Sequence, residues 1–190
     1  MPNWCGNTLR LEHEDPAQIT RAVEAFKKGE FFQTLVPNPD GDWNYDWSVS
    51  NWGTKWDVGG DSDPDIESAT AASFYFDSAW APPCAAYDSL VDQGFRVYAM
   101  YHESGMCFAG IYDNGDDDYY EFSGQSSSEV ADMLPQEWDE QFSISEMMAE
   151  YEDDEEPLTE WYVEGAKAKG LIKDEWTRTY WLVRNNRRIV

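Results

Sequence analysis

From residue 38 to residue 160 this chain carries thirty acidic side chains and only two basic ones, Lys55 and Arg96, and that ratio limits what it can fold into. The flanks are close to balanced. Residues 1–37 hold five acids and four bases, residues 161–190 three acids and seven bases, and the 190-residue sequence stands at a formal −25. Self-repulsion on that scale opposes a compact state, so folding requires a strong counterweight. Ten Trp, eleven Tyr and nine Phe provide one, each ring able to bury about 150–250 Å². A halophilic background would spread the acids evenly, whereas here they avoid both ends. Length and a 42% hydrophobic content predict one globular domain, 1–124, with an appended acidic helical segment, 125–190.

No apolar run approaches the ~20 residues of a membrane-spanning helix. Met1-Pro2-Asn3-Trp4-Cys5 has neither the basic region nor the apolar stretch of a secretory signal. The expectation is no membrane partner and a cytoplasmic setting in a bacterial host cell. Cys5, Cys84 and Cys107 are odd in number, far apart and without metal-site spacing, which suits a reducing compartment.

The stretch Asn51–Asp57 alternates Trp52, Thr54 and Trp56 against Gly53, Lys55 and Asp57, the period of a strand. A strand over Trp47–Val58 at the centre of a sheet is therefore expected. Its lysine is either a counter-ion among carboxylates, the favoured reading because half-buried charge persists when paired, or part of a binding surface. Upstream, Asn3–Leu11 reads as a first strand. Asp15 and Pro16 open a helix that Gly29 closes, with Ile19, Ala22, Val23 and Phe26 as its apolar stripe. Downstream come a strand over Ala72–Trp80, a short helix from Pro82-Pro83 to Gly94, and strands over Arg96–Glu103 and Met106–Asp113 joined through Ser104-Gly105, with Tyr119–Phe122 extending the meander.

That order predicts an α+β, ferredoxin-like βαββαβ sandwich, an antiparallel sheet with two helices on one face. Several strands carry rings on both sides, so the second face should be covered by the C-terminal segment or by a partner chain, with homodimerisation left open. In that segment Ser126–Glu129 caps a helix ending near Pro135. Ser143 with Glu146 reads as a capping box for a helix bearing Ile144, Met147, Met148 and Tyr151. Leu158–Lys169 reads as a further helix, and Trp176–Val183 as a final strand followed by Arg184, Arg187 and Arg188.

Four separated pieces resemble one family. They are Met1-Pro2-Asn3-Trp4-Cys5 with Asn7, Trp52-Gly53-Thr54-Lys55-Trp56-Asp57, Ala79-Trp80 with Pro82-Pro83, and Tyr101-His102-Glu103-Ser104-Gly105 with Phe108-Ala109-Gly110. In this order they are similar to the YubB/Api-like proteins of phages, conjugative plasmids and genomic islands, over residues 1–113. The acidic stretch from Asp113 to Glu160 and the basic tail depart from that pattern. The resemblance implies a ferredoxin-like domain and a mobile-element origin. It implies no catalytic residues, and three scattered cysteines cannot hold a four-thiolate cluster.

Four chemistries can be weighed. The aspartates from Asp57 to Asp65 with Glu67, and Asp113-Asn114-Gly115-Asp116-Asp117-Asp118, look like calcium loops. An EF-hand from Asp61 would need glycine where Ile66 stands and a bidentate acid where Ala72 stands, so only adventitious divalent binding is left open, and no cofactor is expected. His102 with Glu103 and Cys107 is a hairpin neighbourhood, read as a strand-edge histidine and a small buried thiol. Trp52, Trp56, Tyr98 and Tyr101 could stack bases, but the local charge opposes phosphate, and no direct nucleic acid is expected.

The favoured reading inverts the last. Asp113, Asp116, Asp117 and Asp118, with Glu137, Asp139, Glu140, Glu146, Glu150 and Asp153 on helices, would imitate the charge of DNA. They would bind, without catalysis, a basic surface on a host nucleic-acid-handling or defence protein. Trp4, Asn7, Trp52, Lys55, Trp56, Asp57, Trp80 and Glu103 are then motif residues of the scaffold. The alternative is a protein-binding module that uses an aromatic sheet face, with acidity giving only solubility.

Overall fold

Alternation makes the first strand: β1 (Trp4–Glu12) turns Cys5, Asn7, Leu9 and Leu11 inward, in a computed structural model that describes residues 3–154. Helix α1 (Pro16–Lys28) starts where the Asp15 carboxylate accepts from the Ala17 N–H at 3.0 Å and ends at Gly29, φ +72°. Its buried stripe is the one its spacing predicts. A short helix, α2 (Phe31–Leu35), has no side-chain cap of its own. Asp57 supplies one from a distance, accepting from Phe32 N at 2.6 Å and Gln33 N at 2.9 Å.

The next element corrects the sequence reading. Tyr45–Trp52 is a helix, α3, and residues 53–57 are a loop. Asn44 caps its start, accepting from Trp47 N at 2.9 Å, and Gly53 ends it at φ +83°. Trp52, Thr54 and Trp56 alternate for unrelated reasons, and Lys55 is far from the centre of any strand.

The second strand lies later, at β2 (Asp65–Ser68), paired through a bulge with β3 (Ala71–Ala79). Helix α4 (Cys84–Asp92) follows, then an antiparallel meander of β4 (Arg96–Glu103), β5 (Phe108–Asp113) and β6 (Asp116–Glu121). Three helices complete the described chain: α5 (Ser127–Met133), α6 (Gln136–Phe142) and α7 (Ile144–Asp154). Ser126 and Glu129 form the capping box of α5. Ser143 does not open α7 as a capping box would have it. It sits in the left-handed region, φ 50°, as the C-cap of α6, and Asp139 takes the capping role by accepting from Ser145 N at 2.6 Å and from its hydroxyl. The expected helix over Leu158–Lys169, the strand over Trp176–Val183 and the tail arginines lie outside the described residues.

The architecture is mixed α+β, a six-stranded antiparallel sheet in the order β2-β3-β1-β4-β5-β6. Its two faces carry separate cores. On one, Leu9, Leu11, Phe74, Val97 and Tyr112 pack under Phe26, Phe31, Phe32, Tyr87 and Leu90 of α1, α2 and α4. Each such side chain contributes about 1.5–3 kcal/mol by leaving water. On the other face Met100 and Ala109 meet Val130, Leu134, Trp138 and Ile144, so α5–α7 cover the β4–β5–β6 half. Towards the β2 edge of that second face, Thr8 and Arg10 stay half-buried and Tyr75 exposed among the described residues.

Candidate functional site

The four motif pieces come together at the end of the sheet where β1 begins. Asn7 is buried at this junction. It donates to Cys5 O at 2.7 Å and Ser78 Oγ at 2.9 Å, and accepts from the Tyr87 hydroxyl at 3.3 Å. Thr54 ties the loop after α3 to the end of β3: Ala79 N donates to its Oγ1 at 3.0 Å, and the hydroxyl donates to Ala79 O at 3.3 Å. Trp52 is core, its indole N–H donating to Val36 O at 2.8 Å. Glu103 is buried and holds the β4–β5 turn by accepting from Gly105 N at 2.8 Å and Met106 N at 2.5 Å. Gly110 lies opposite Tyr101, where a Cβ would overlap the phenol.

These buried contacts hold a set of exposed rings. Trp4 and Trp56 lean together at 5.9 Å between centroids. Trp80 leaves β3 at φ 72°, fixed by its N–H to Asn3 O at 2.9 Å, and its side chain stands 51% exposed. The Lys55 ammonium lies 4.3 Å from the centroid of Trp56, 5.8 Å from that of Tyr45 and 5.9 Å from that of Trp80. It makes no ion pair among the described residues, so the counter-ion expectation gives way to cation–π contact. Trp43 steadies the loop, donating to Lys55 O at 3.0 Å. Beyond Trp80 the surface continues into a cleft of about 550 Å³ with Met106 and Tyr119 on its walls. Neither Trp43 nor Tyr45 was singled out by pattern, although two large rings in the turn-rich loop between Pro37 and Asp46 were a signal. Of the rings on the sheet faces, Tyr101 is buried, Tyr98 is half-buried against the α5–α7 core and Tyr75 stands exposed in mid-β3, whereas Trp4, Trp56 and Trp80 gather at the sheet's end.

The nominated carboxylates divide. Asp113 and Asp116 are paired across β5 and β6, and Asp118 projects from the same face as Asp116. Trp138 of α6 packs edge-on against Tyr120 of β6 at 5.1 Å between centroids, which brings α6 to this edge, and burial raises the Tyr98 pKa with the charges of Glu137 and Asp113 adding to the rise. Asp117 points to the opposite face and accepts from the Tyr101 hydroxyl at 2.7 Å. Asp139 is engaged in the α7 cap, and Asp113 pairs with Arg96 at 3.0 Å. Glu140, Glu146 and Glu150 are exposed on α6 and α7, while Asp153 lies outside the described side chains. Among the described residues, 32 acids face six bases. Arg10 is held by Glu12 and Glu67, Lys27 by Asp63, and Arg21 by Thr34 O at 2.5 Å.

Several groups capable of covalent or acid–base work are buried or already engaged. Burial pushes the Cys5 thiol far up, and burial beside Asp117 and Asp88 pushes Cys84 up to about 12, so neither offers a thiolate near neutrality. His102 packs against Phe122 and Phe142, and burial lowers its pKa while Glu103 opposes the shift. Asp57 is spent on capping α2. Among the described residues no three His, Cys, Asp or Glu side chains converge as metal ligands, and no helix is long and apolar enough to cross a membrane.

No family model, curated protein or solved structure matches the chain.

Proposed function

We propose that this protein is a non-catalytic binding module that offers a polyanionic surface to a basic partner. The observation that carries this reading is the edge formed by β5, β6 and α6. There Asp116 and Asp118 project from one face of β6, about 6.8 Å apart on a strand that rises ~3.4 Å per residue, roughly two charge steps along one strand of duplex DNA, while Asp117 points to the other face. Asp113 and Glu137 widen the field, and Arg96 is the one cation paired into it among the described residues.

The resemblance to proteins of mobile elements supports taking the partner to be a nucleic-acid-handling or defence protein of the host, inhibited by occupation of its DNA-binding surface. We read the core as a ferredoxin-like unit. Four of its strands lie side by side as β2-β3-β1-β4, with α1 and α4 following the first and third strands of the sequence, which is the order such a βαββαβ unit has. On this reading α2 and α3 are insertions and β5–β6 an extension.

Competition tests the proposal: a basic DNA-binding protein is held on labelled duplex DNA and this protein is titrated in at ~50 and ~300 mM salt. Displacement at low salt that collapses at high salt is expected. The combined variant Asp116→Asn, Asp118→Asn and Glu137→Gln should displace at least about tenfold less well. Displacement unaffected by salt or by these changes would refute the polyanionic reading.

A further inference from the structure

The exposed rings around Lys55 have a built frame. Trp4, Tyr45, Trp56 and Trp80 come from four separate places in the chain and meet because the Thr54–Ala79 and Trp80–Asn3 hydrogen bonds pin the loops that carry them. Trp80 adopts a left-handed backbone that a large side chain rarely takes, and strain of this kind collects where a side chain has to be aimed. The rings are not there for the core: Trp4 is 50% and Trp80 51% exposed. Contiguous exposed apolar surface marks a place where something docks.

The surface itself names the chemistry of its occupant. It already holds a cation, the Lys55 ammonium, by ring faces. The described chain around it stands at −26, with 32 acids and six bases, so a cationic visitor is favoured by the whole field and an anionic one is repelled. A lysine ammonium is strongly hydrated and touches one ring face at a time. A guanidinium is planar, weakly hydrated and stacks on indole.

Resting on the polyanionic reading above and specifying where it acts, we propose that this aromatic end docks an arginine side chain of a basic protein partner. That side chain takes the place over Trp56 and Trp80 that Lys55 fills in the free protein.

Octa-arginine and octa-lysine peptides, equal in charge, are the probes, titrated at fixed salt with tryptophan fluorescence and calorimetry as readouts. The expected result is tighter binding of octa-arginine by about three- to fivefold, with indole quenching. The variant Trp56→Leu with Trp80→Leu should bind both peptides alike, and Lys55→Met should enlarge the preference for arginine. Thermal unfolding confirms that the ring variants are folded, and Lys55→Met tests the same site without touching a ring. Binding of both peptides with a preference that survives in the ring variant overturns the docking site and leaves the polyanionic reading standing. No binding of either peptide at low salt overturns both.

Discussion

Glu103 and His102 are neighbours on β4 that face opposite sides of the sheet, and each does a job its charge would not suggest. Glu103 is a buried carboxylate whose partners are two backbone N–H groups of the following turn, with no ion pair among the described residues. His102 is a ring among rings, stacked 18° from the plane of Phe122. Because burial lowers its pKa in the folded protein, the unfolded chain takes up a proton first as pH falls through about 6.5. Its contribution to stability is therefore complete above that value and declines as pH drops towards the lowered folded pKa. Urea midpoints at pH 7.5 and 5.5 check this: the wild-type chain should lose more on acidification than His102→Phe, and parallel losses would show that His102 is not a buried base. The fixed hydrogen bonds of Asn7, with Ser78 and Tyr87 as partners, complete a junction in which the motif residues hold the frame while exposed rings nearby remain available for contact.

At the scale of elements, the loop between α3 and β2 is tied both to the end of α1 and to the end of β3. Gly60 N donates to Phe26 O at 2.7 Å, and Gly59, at φ +100°, lies so close to the end of α1 that a Cβ would run into that same carbonyl. Gly59→Ala should cost about 2–3 kcal/mol in chemical denaturation. Gly41→Ala, also left-handed at φ +77° but with nothing within 4 Å, should cost clearly less. What the sequence disclosed here follows from how local each signal is. Asp15, Pro16 and Gly29 bracket α1 within its own length, and the alternation of β1 continues long enough to be a period. The alternation of Trp52, Thr54 and Trp56 is too short for that. One side chain ends a helix, one clips β3 and one leans on Trp4 at a tilt, while the real signals were the Asn44 cap and the Gly53 stop. Helix α2 was hidden because its cap, Asp57, is 25 residues from Phe32. The convergence of Trp4, Trp56 and Trp80 was hidden because the pairing of β1 with β3 and the long-range Thr54–Ala79 and Trp80–Asn3 hydrogen bonds create it. The acidic edge was legible as composition, but the two faces of β6, which separate Asp117 from Asp116 and Asp118, were not.

The whole molecule folds against its own charge, with two cores clamped on either side of one sheet and few cations between the carboxylates. Screening should therefore help it: raising sodium chloride from ~20 to ~500 mM is expected to raise Tm on the order of 5 °C. A flat or falling Tm would mean that the carboxylates are already neutralised. The borders of the sheet carry a further meaning. One outer strand, β2, is four residues long, exposed throughout and interrupted by a bulge, and the other, β6, carries Asp116, Asp117, Asp118 and Glu121. Short, kinked and charged rims discourage another backbone from joining the ladder. Peptide capture by strand addition is thus poorly served at both rims, and a visitor has to be recognised through what the side chains present.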